Sequence, residues 1–185
     1  EGYFRCPVGL TLLMTIAEKE GFETKLFDTT FIAAEDNIDN KLREKRGDTK
    51  PIPMDHMFDK HSEKEIISAW IRTIEDFKPD LIAASILEDA YPFCGTLLDA
   101  AKKKFDIPVL AGGTTPTLSP MVVIEHPSID MLIQGEGDVA LTELVIALKN
   151  KKPLSEVPNL WYKENGEVFK NKLVRYMDIN KLPNQ

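Results

Sequence analysis

Four short clusters hold the residues best placed for chemistry. They are Asp28-Thr29-Thr30, Ser85-Ile86-Leu87-Glu88-Asp89, Gly112-Gly113-Thr114-Thr115 and Gln134-Gly135-Glu136-Gly137-Asp138. Each follows a short run that reads as a β-strand, so each falls at a strand's carboxyl end, where open α/β sheets bind ligands. Glycine lets a bulky flat or elongated ligand approach the backbone, because no Cβ stands in the way. The hydroxyls of Ser85, Thr114 and Thr115 could satisfy polar atoms of such a ligand. Turns between strand and helix favour the same residue types for their own geometry. A single cluster therefore implies nothing, while three on one rim point to a ligand.

Conventional nucleophile and nucleotide sites are absent. No GxGxxG follows a strand, and no GxxxxGK[ST] loop occurs; Gly135-Glu136-Gly137 is too short for either. A phosphoacceptor aspartate is missing from the third strand end, which carries Ser85, and no lysine follows the fifth, where Gln134-Gly135 stand. His56 and His61 flank Asp59, but the spacing is not a zinc pattern and reads as a solvated loop. His126 precedes Pro127 at a helix end, where the dipole favours an imidazole. Cys94 lies near a helix start with no histidine close in sequence, and reads as a core thiol. Glu88 and Asp89 point apart as neighbours and form no acid–base pair. Trp70 and Trp161 read as packing residues. What remains is a ligand-binding domain without a catalytic constellation.

The elements that would carry this rim follow from patterning. Leu10, Leu13, Ile16 and Ala17 share a helical stripe that stops at Glu20-Gly21, and 23–28 reads as a strand. Ser62-Glu63-Lys64-Glu65 is a capping box ahead of Ile67, Trp70, Ile71 and Ile74. Phe77-Lys78-Pro79-Asp80 ends that helix and launches 81–86, a continuous apolar strand expected to be buried on both faces. Leu97, Leu98, Ala101 and Phe105 mark a helix, and 108–111 a strand. Ser119-Pro120 opens a short helix, and 131–133 is the last parallel strand. Leu141, Leu144, Val145 and Leu148 mark the last long helix. Leu160 to Phe169 reads as a hairpin around Asn165-Gly166 with a type I′ turn. Strands alternating with helices predict an α/β fold: a doubly wound, flavodoxin-like or Rossmann-like parallel sheet with a C-terminal β-hairpin appendage.

With 185 residues the chain is sized for one domain plus a small appendage. Boundaries are expected at 1–152 for the α/β domain and 153–185 for hairpin and linker. The polar stretch 29–60 is a lid or a loosely ordered connection. Because the first helix starts near Gly9, the opening strand of the architecture is expected to be missing or truncated, unless Tyr3 to Cys6 supplies a minimal one. The 23 basic against 30 acidic residues give a net charge of −7, which speaks against a nucleic-acid binder. No apolar run reaches the ~20 residues of a membrane span. Two cysteines, Cys6 and Cys94, make no disulfide framework. The expected setting is cytoplasmic.

In order and spacing, several pieces resemble the N-terminal cobalamin-binding domain of cobalamin-dependent radical SAM enzymes. They are Pro7-Val8-Gly9-Leu10, Ala17-Glu18-Lys19-Glu20-Gly21-Phe22, Lys78-Pro79-Asp80-Leu81-Ile82, Ser85-Ile86-Leu87, Leu110-Ala111-Gly112-Gly113 and Gly135-Glu136-Gly137-Asp138 with the following Leu141-Thr142-Glu143-Leu144. The tail, Asp178 to Pro183, is similar to the segment preceding the catalytic barrel. The broader cobalamin fold carries the motifs DxHxxG, SxL and GG. The resemblance implies that Ser85 and Leu87 contact the dimethylbenzimidazole tail and that Gly112 and Gly113 leave room for it. Gly9 takes the glycine of the first motif, while Gly135, Glu136 and Gly137 complete the cofactor edge. At the histidine and aspartate places stand Cys6 and Phe4, so a histidine ligand to cobalt is not supported.

The resemblance further implies a parent chain with a radical SAM barrel, an iron–sulfur cluster and S-adenosylmethionine, commonly a methyltransferase and sometimes a cyclase. Two isolated cysteines cannot supply the CxxxCxxC motif, so this part alone is expected to bind cobalamin and catalyse nothing. Two other readings stay open. One is a flavodoxin-like flavin-binding or signalling module; the other is a degenerate domain kept as a docking surface.

Overall fold

A computed structural model of the chain describes residues 8–29, 32–34, 45–48 and 59–174. In chain order the elements are α1 (Val8–Lys19), β1 (Ile32–Ala34), β2 (Asp59–His61), α2 (Glu63–Phe77), β3 (Ile82–Ser85), α3 (Tyr91–Lys102), β4 (Val109–Gly112), α4 (Thr114–Leu118), α5 (Pro120–Ile124), β5 (Met131–Ile133), α6 (Asp138–Asn150), β6 (Leu160–Glu164) and β7 (Glu167–Lys170). They divide into two compact units, one within residues 25–77 and the other within 7–24 and 78–185. Tyr3 to Cys6 and the tail from Asp178 to Pro183 lie outside the described residues, as does His56.

In the smaller unit, β1 and β2 pair in parallel with Ile32 opposite Asp59 and Ala34 opposite His61. The stretch 29–60, expected to be a lid or a loosely ordered connection, carries β1 and the start of its partner β2. The capping box forms: Ser62 donates from its amide and its hydroxyl to Glu65 Oε2, each at 2.8 Å. Ile66, Ile71 and Ile74 are the buried stripe of α2, and Trp70 packs on Phe27 with ring centroids 5.0 Å apart.

The larger unit is built on a mixed sheet in the order β3-β4-β5-β6-β7. β3, β4 and β5 run parallel, and β6 and β7 add antiparallel. Asn165 and Gly166 both take positive φ, 52° and 82°, the requirement of a type I′ turn. The hairpin is no appendage, because Leu132 of β5 pairs directly with Trp161 of β6. Lys170 Nζ stands 4.2 Å from the centroid of the Trp161 ring, and Tyr162 stacks on Phe169.

A core of Leu110, Met131, Ile133, Leu141, Leu144 and Leu160 joins α6 to the middle of this sheet. Leu144 is fully buried, so truncation to alanine there costs about 2–5 kcal/mol. Helix α1 packs against α6 and ends as its glycine requires. Gly21 sits at φ +83°, its amide donates to Glu18 O, and that of Phe22 donates to Ala17 O. This is the paired hydrogen bonding of a Schellman cap.

Two strand expectations are corrected. Residues 23–28 pair into no sheet among the described residues, because alternation fixes which way side chains face but names no hydrogen-bonding neighbour. β3 is not buried on both faces: Ile82 is buried while Ala83 and Ser85 are exposed. It is the end strand of the five, and its short side chains cover little surface. Among the described residues no helix is long and apolar enough to cross a membrane.

Candidate functional site

Parallel register places the carboxyl ends of β3 and β4 side by side, with Ser85 opposite Gly112. Just beyond, the Ile86 amide donates to Gly112 O at 2.7 Å, and the Thr115 amide donates to Ile86 O at 3.2 Å. Ile86 is fully buried, whereas Ser85 is exposed and Leu87 is 46% exposed. The chain thus anchors one residue and presents its two neighbours on the rim. One of those is a hydroxyl and the other an apolar side chain.

The paired glycines are there for different reasons. A Cβ on Gly113 would stand 2.8 Å from Ile86 O and 2.9 Å from Ile86 N, and its φ is +107°. Only glycine fits that backbone and that approach. Among the described residues a Cβ on Gly112 would meet nothing within 4 Å. Packing therefore explains Gly113 and leaves Gly112 opening onto space beside Ser85.

Directly after the glycines comes α4 (Thr114–Leu118). Its Thr115 hydroxyl is buried without a hydrogen-bond partner among the described residues. Burial of an unpaired hydroxyl costs about 1–3 kcal/mol. Thr117, two residues on, donates its hydroxyl to Gly113 O at 2.7 Å and accepts the Gly135 amide at 3.1 Å. The Gln134 side-chain amide donates to Thr117 O at 3.3 Å.

The third loop is set by Gly135, at φ +88°, and Gly137, where a Cβ would lie 3.5 Å from the Leu13 methyls of α1. Glu136 is exposed between them, and Asp138 is buried in the first turn of α6, the favoured place for an acid on a helix dipole. Thr117, Gln134, Gly135, Glu136, Leu173 and Val174 line an open pocket of about 250 Å³.

Asn159 was invisible to sequence reasoning. It is buried, sits at φ +62°, donates from Nδ2 to Glu136 O at 3.2 Å and accepts the Val174 amide at 2.6 Å. Its carbonyl also takes the Gln134 amide at 2.9 Å. The only signal was an Asn beside Pro158, which marks a turn and says nothing about what the side chain holds.

For Gly9, in the first turn of α1, a notional Cβ likewise meets nothing within 4 Å among the described residues. The other candidates are occupied elsewhere. His126 lies over Gly95, whose Cβ would come 3.0 Å from Nε2, and its Nδ1 accepts the Ser128 amide at 3.2 Å. Ser128 in turn donates to Asp99. Burial pushes the Cys94 thiol up to about 11, the opposite of an activated nucleophile. Glu88 and Asp89 are exposed on the turn before α3. Among the described residues no group of three or more His, Cys, Asp or Glu could hold a metal ion.

Residues 56–145 match the B12 binding domain family. Over 99 residues the chain is 33% identical to the uncharacterized methyltransferase PH0819 of Pyrococcus horikoshii, covering 52% of this chain and 22% of that protein. Among solved structures it is similar to TsrM of Kitasatospora setae, a radical S-adenosylmethionine methyltransferase seen with tryptophan and a SAM analogue. The TM-score is 0.67 at 18% identity, over 91% of this chain and 27% of TsrM. It is also similar to OxsB, a cobalamin-dependent S-adenosylmethionine radical enzyme seen with aqua-cobalamin, with a TM-score of 0.54 at 19% identity over 89% and 27% of the two chains. At those identities the two structures speak for the fold alone. The chain spans only 22% to 27% of the length of these three proteins.

Proposed function

We propose that the chain, whose residues 56–145 match the B12 binding domain family, holds cobalamin at the Ser85–Gly112 rim as the cofactor domain of a radical SAM enzyme that transfers a methyl group. The observation that carries this reading is the contrast between the two glycines, with Gly113 required by Ile86 and Gly112 open beside Ser85. Cobalamin, when bound, supplies a cobalt centre able to accept and pass on a methyl group. The chain's own part is to bind and orient. Ser85 and Leu87 offer a polar and an apolar contact to the nucleotide tail. Gly112 leaves room for it, and Gly113 keeps the loop close to β3. Gly9, Gly135, Glu136 and Gly137 border the corrin side of the same rim.

With Cys6 where the first motif has histidine, the chain offers cobalt no imidazole from that loop. The same proposal extends to a doubly wound sheet in which the β6–β7 hairpin belongs to the cofactor part, with a barrel elsewhere in the parent chain. That barrel, an iron–sulfur cluster and S-adenosylmethionine belong to the parent enzyme, in a cytoplasmic setting.

The test is a visible-absorbance titration of the purified protein with hydroxocobalamin, followed by desalting. Retained corrin absorbance, lost in a Ser85→Trp/Gly112→Trp variant with unchanged circular dichroism and unfolding midpoint, is the expected result. Folded protein that retains no corrin, or a folded double variant that retains it fully, overturns the reading.

A further inference from the structure

Resting on the cobalamin reading, we propose that Thr117 is the positioning residue that fixes the glycine loop after β4 and the loop after β5 in the single arrangement that receives the corrinoid. Its hydroxyl is placed between the two loops: it donates to Gly113 O at 2.7 Å and accepts the Gly135 amide at 3.1 Å. One hydroxyl has one proton to give and lone pairs to accept, so both roles are used, and neither can be served by a side chain lacking the oxygen. The main chain adds a third tie, since Thr117 O accepts the Gln134 side-chain amide at 3.3 Å.

Gly113 O also accepts the Thr117 amide at 3.3 Å, so the distinct part of the hydroxyl is to carry that tie across to Gly135. Gly113 and Gly135 both sit at positive φ, +107° and +88°, and glycine there has wide backbone freedom. Between β4 and β5 the paired register ends at Ala111 opposite Leu132. Beyond it, Thr117 replaces the missing ladder. Thr117 also lines the pocket with Gln134, Gly135 and Glu136, on the side of the loop after β5. A ligand touching both loops meets a preorganised rim when the hydroxyl is present. It must order that rim itself when the hydroxyl is absent, which weakens binding.

Three variants test this by hydroxocobalamin titration and by dissociation rate after dilution, with thermal unfolding followed in parallel. Thr117→Val keeps the shape and removes the oxygen; affinity is expected to fall about tenfold, chiefly through faster dissociation. Thr117→Ser keeps the oxygen and is expected to restore wild-type binding, which separates positioning from simple packing by the methyl group. Thr117→Ala takes the place of the valine variant if that one fails to fold. Wild-type affinity in the folded variant lacking the hydroxyl, or a serine variant as weak as the valine one, overturns the inference while leaving the cobalamin reading intact. Folded wild-type protein that binds no cobalamin overturns the reading itself, and this inference with it.

Discussion

Ser85 at the end of β3 and Gly112 at the end of β4 are register partners, and immediately past them the Ile86 amide donates to Gly112 O at 2.7 Å. That bond draws the backbone after β3 onto the glycine pair, so the two glycines should answer differently to a methyl group. Gly112→Ala adds a Cβ to open space and is expected to leave stability within about 0.5 kcal/mol. Gly113→Ala forces a Cβ to within 3 Å of the Ile86 backbone at φ +107° and should cost about 2 kcal/mol or more. Urea midpoints of the two variants compare these directly; equal midpoints would contradict the packing assigned to Gly113.

Asn159 holds the loop after β5 from beneath. Asn159→Leu removes the donor to Glu136 O and the acceptor of the Val174 amide, two partners in partly buried surroundings. A loss of about 2–3 kcal/mol follows. Asn159→Gly accepts the positive φ better but restores neither bond, so it should recover only part of the loss. Hydrogen exchange at Val174 supplies the local readout: protection drops in both variants if the side chain is the clamp, and stays unchanged if the turn alone holds that segment.

What was legible in the sequence had local causes. Ser62 and Glu65 lie three residues apart, so a capping box can be read directly from their spacing, and Gly21 closes α1 through bonds that span one turn. Asn165-Gly166 likewise carries its turn type in two residues. The rim residues Ser85 and Gly112 were placed because strand ends are predictable. That they face each other depends on register, which no periodicity states. Thr117 and Asn159 escaped because their hydrogen bonds cross 15 to 23 residues of chain to reach the other loops. Among the described residues 23–28 find no strand partner for the same reason, since a strand is defined by a neighbour that the sequence does not name.

Glu65 gives the smaller unit a pH signature. Its carboxyl is held below the ordinary glutamate range, first by the Ser62 backbone amide and then by the Ser62 hydroxyl. A carboxyl depressed in the folded state stabilises above its unfolded pKa, and that contribution fades as pH falls through the folded value. Glu65→Ala should therefore lower the unfolding temperature at pH 7 and make a smaller difference at about pH 3, below the unfolded glutamate pKa of about 4.3. A difference independent of pH would assign the effect to helix propensity and not to the charged cap.

Cys94 separates a buried thiol from a reactive one. It lies in the first turn of α3, a position where a helix dipole alone would favour thiolate. Burial wins instead and pushes the thiol up to about 11. At pH 8 the thiolate fraction is then about two orders of magnitude below that of a free cysteine, and the greater intrinsic nucleophilicity of a high-pKa thiolate returns only part of that. Alkylation by iodoacetamide, followed by mass spectrometry on the Cys94 peptide, should run at least about tenfold slower in the folded protein than in urea. Its rate should still be rising with pH at pH 9. A rate that levels off near pH 8 would mean that the dipole prevails over desolvation and that Cys94 is available for chemistry.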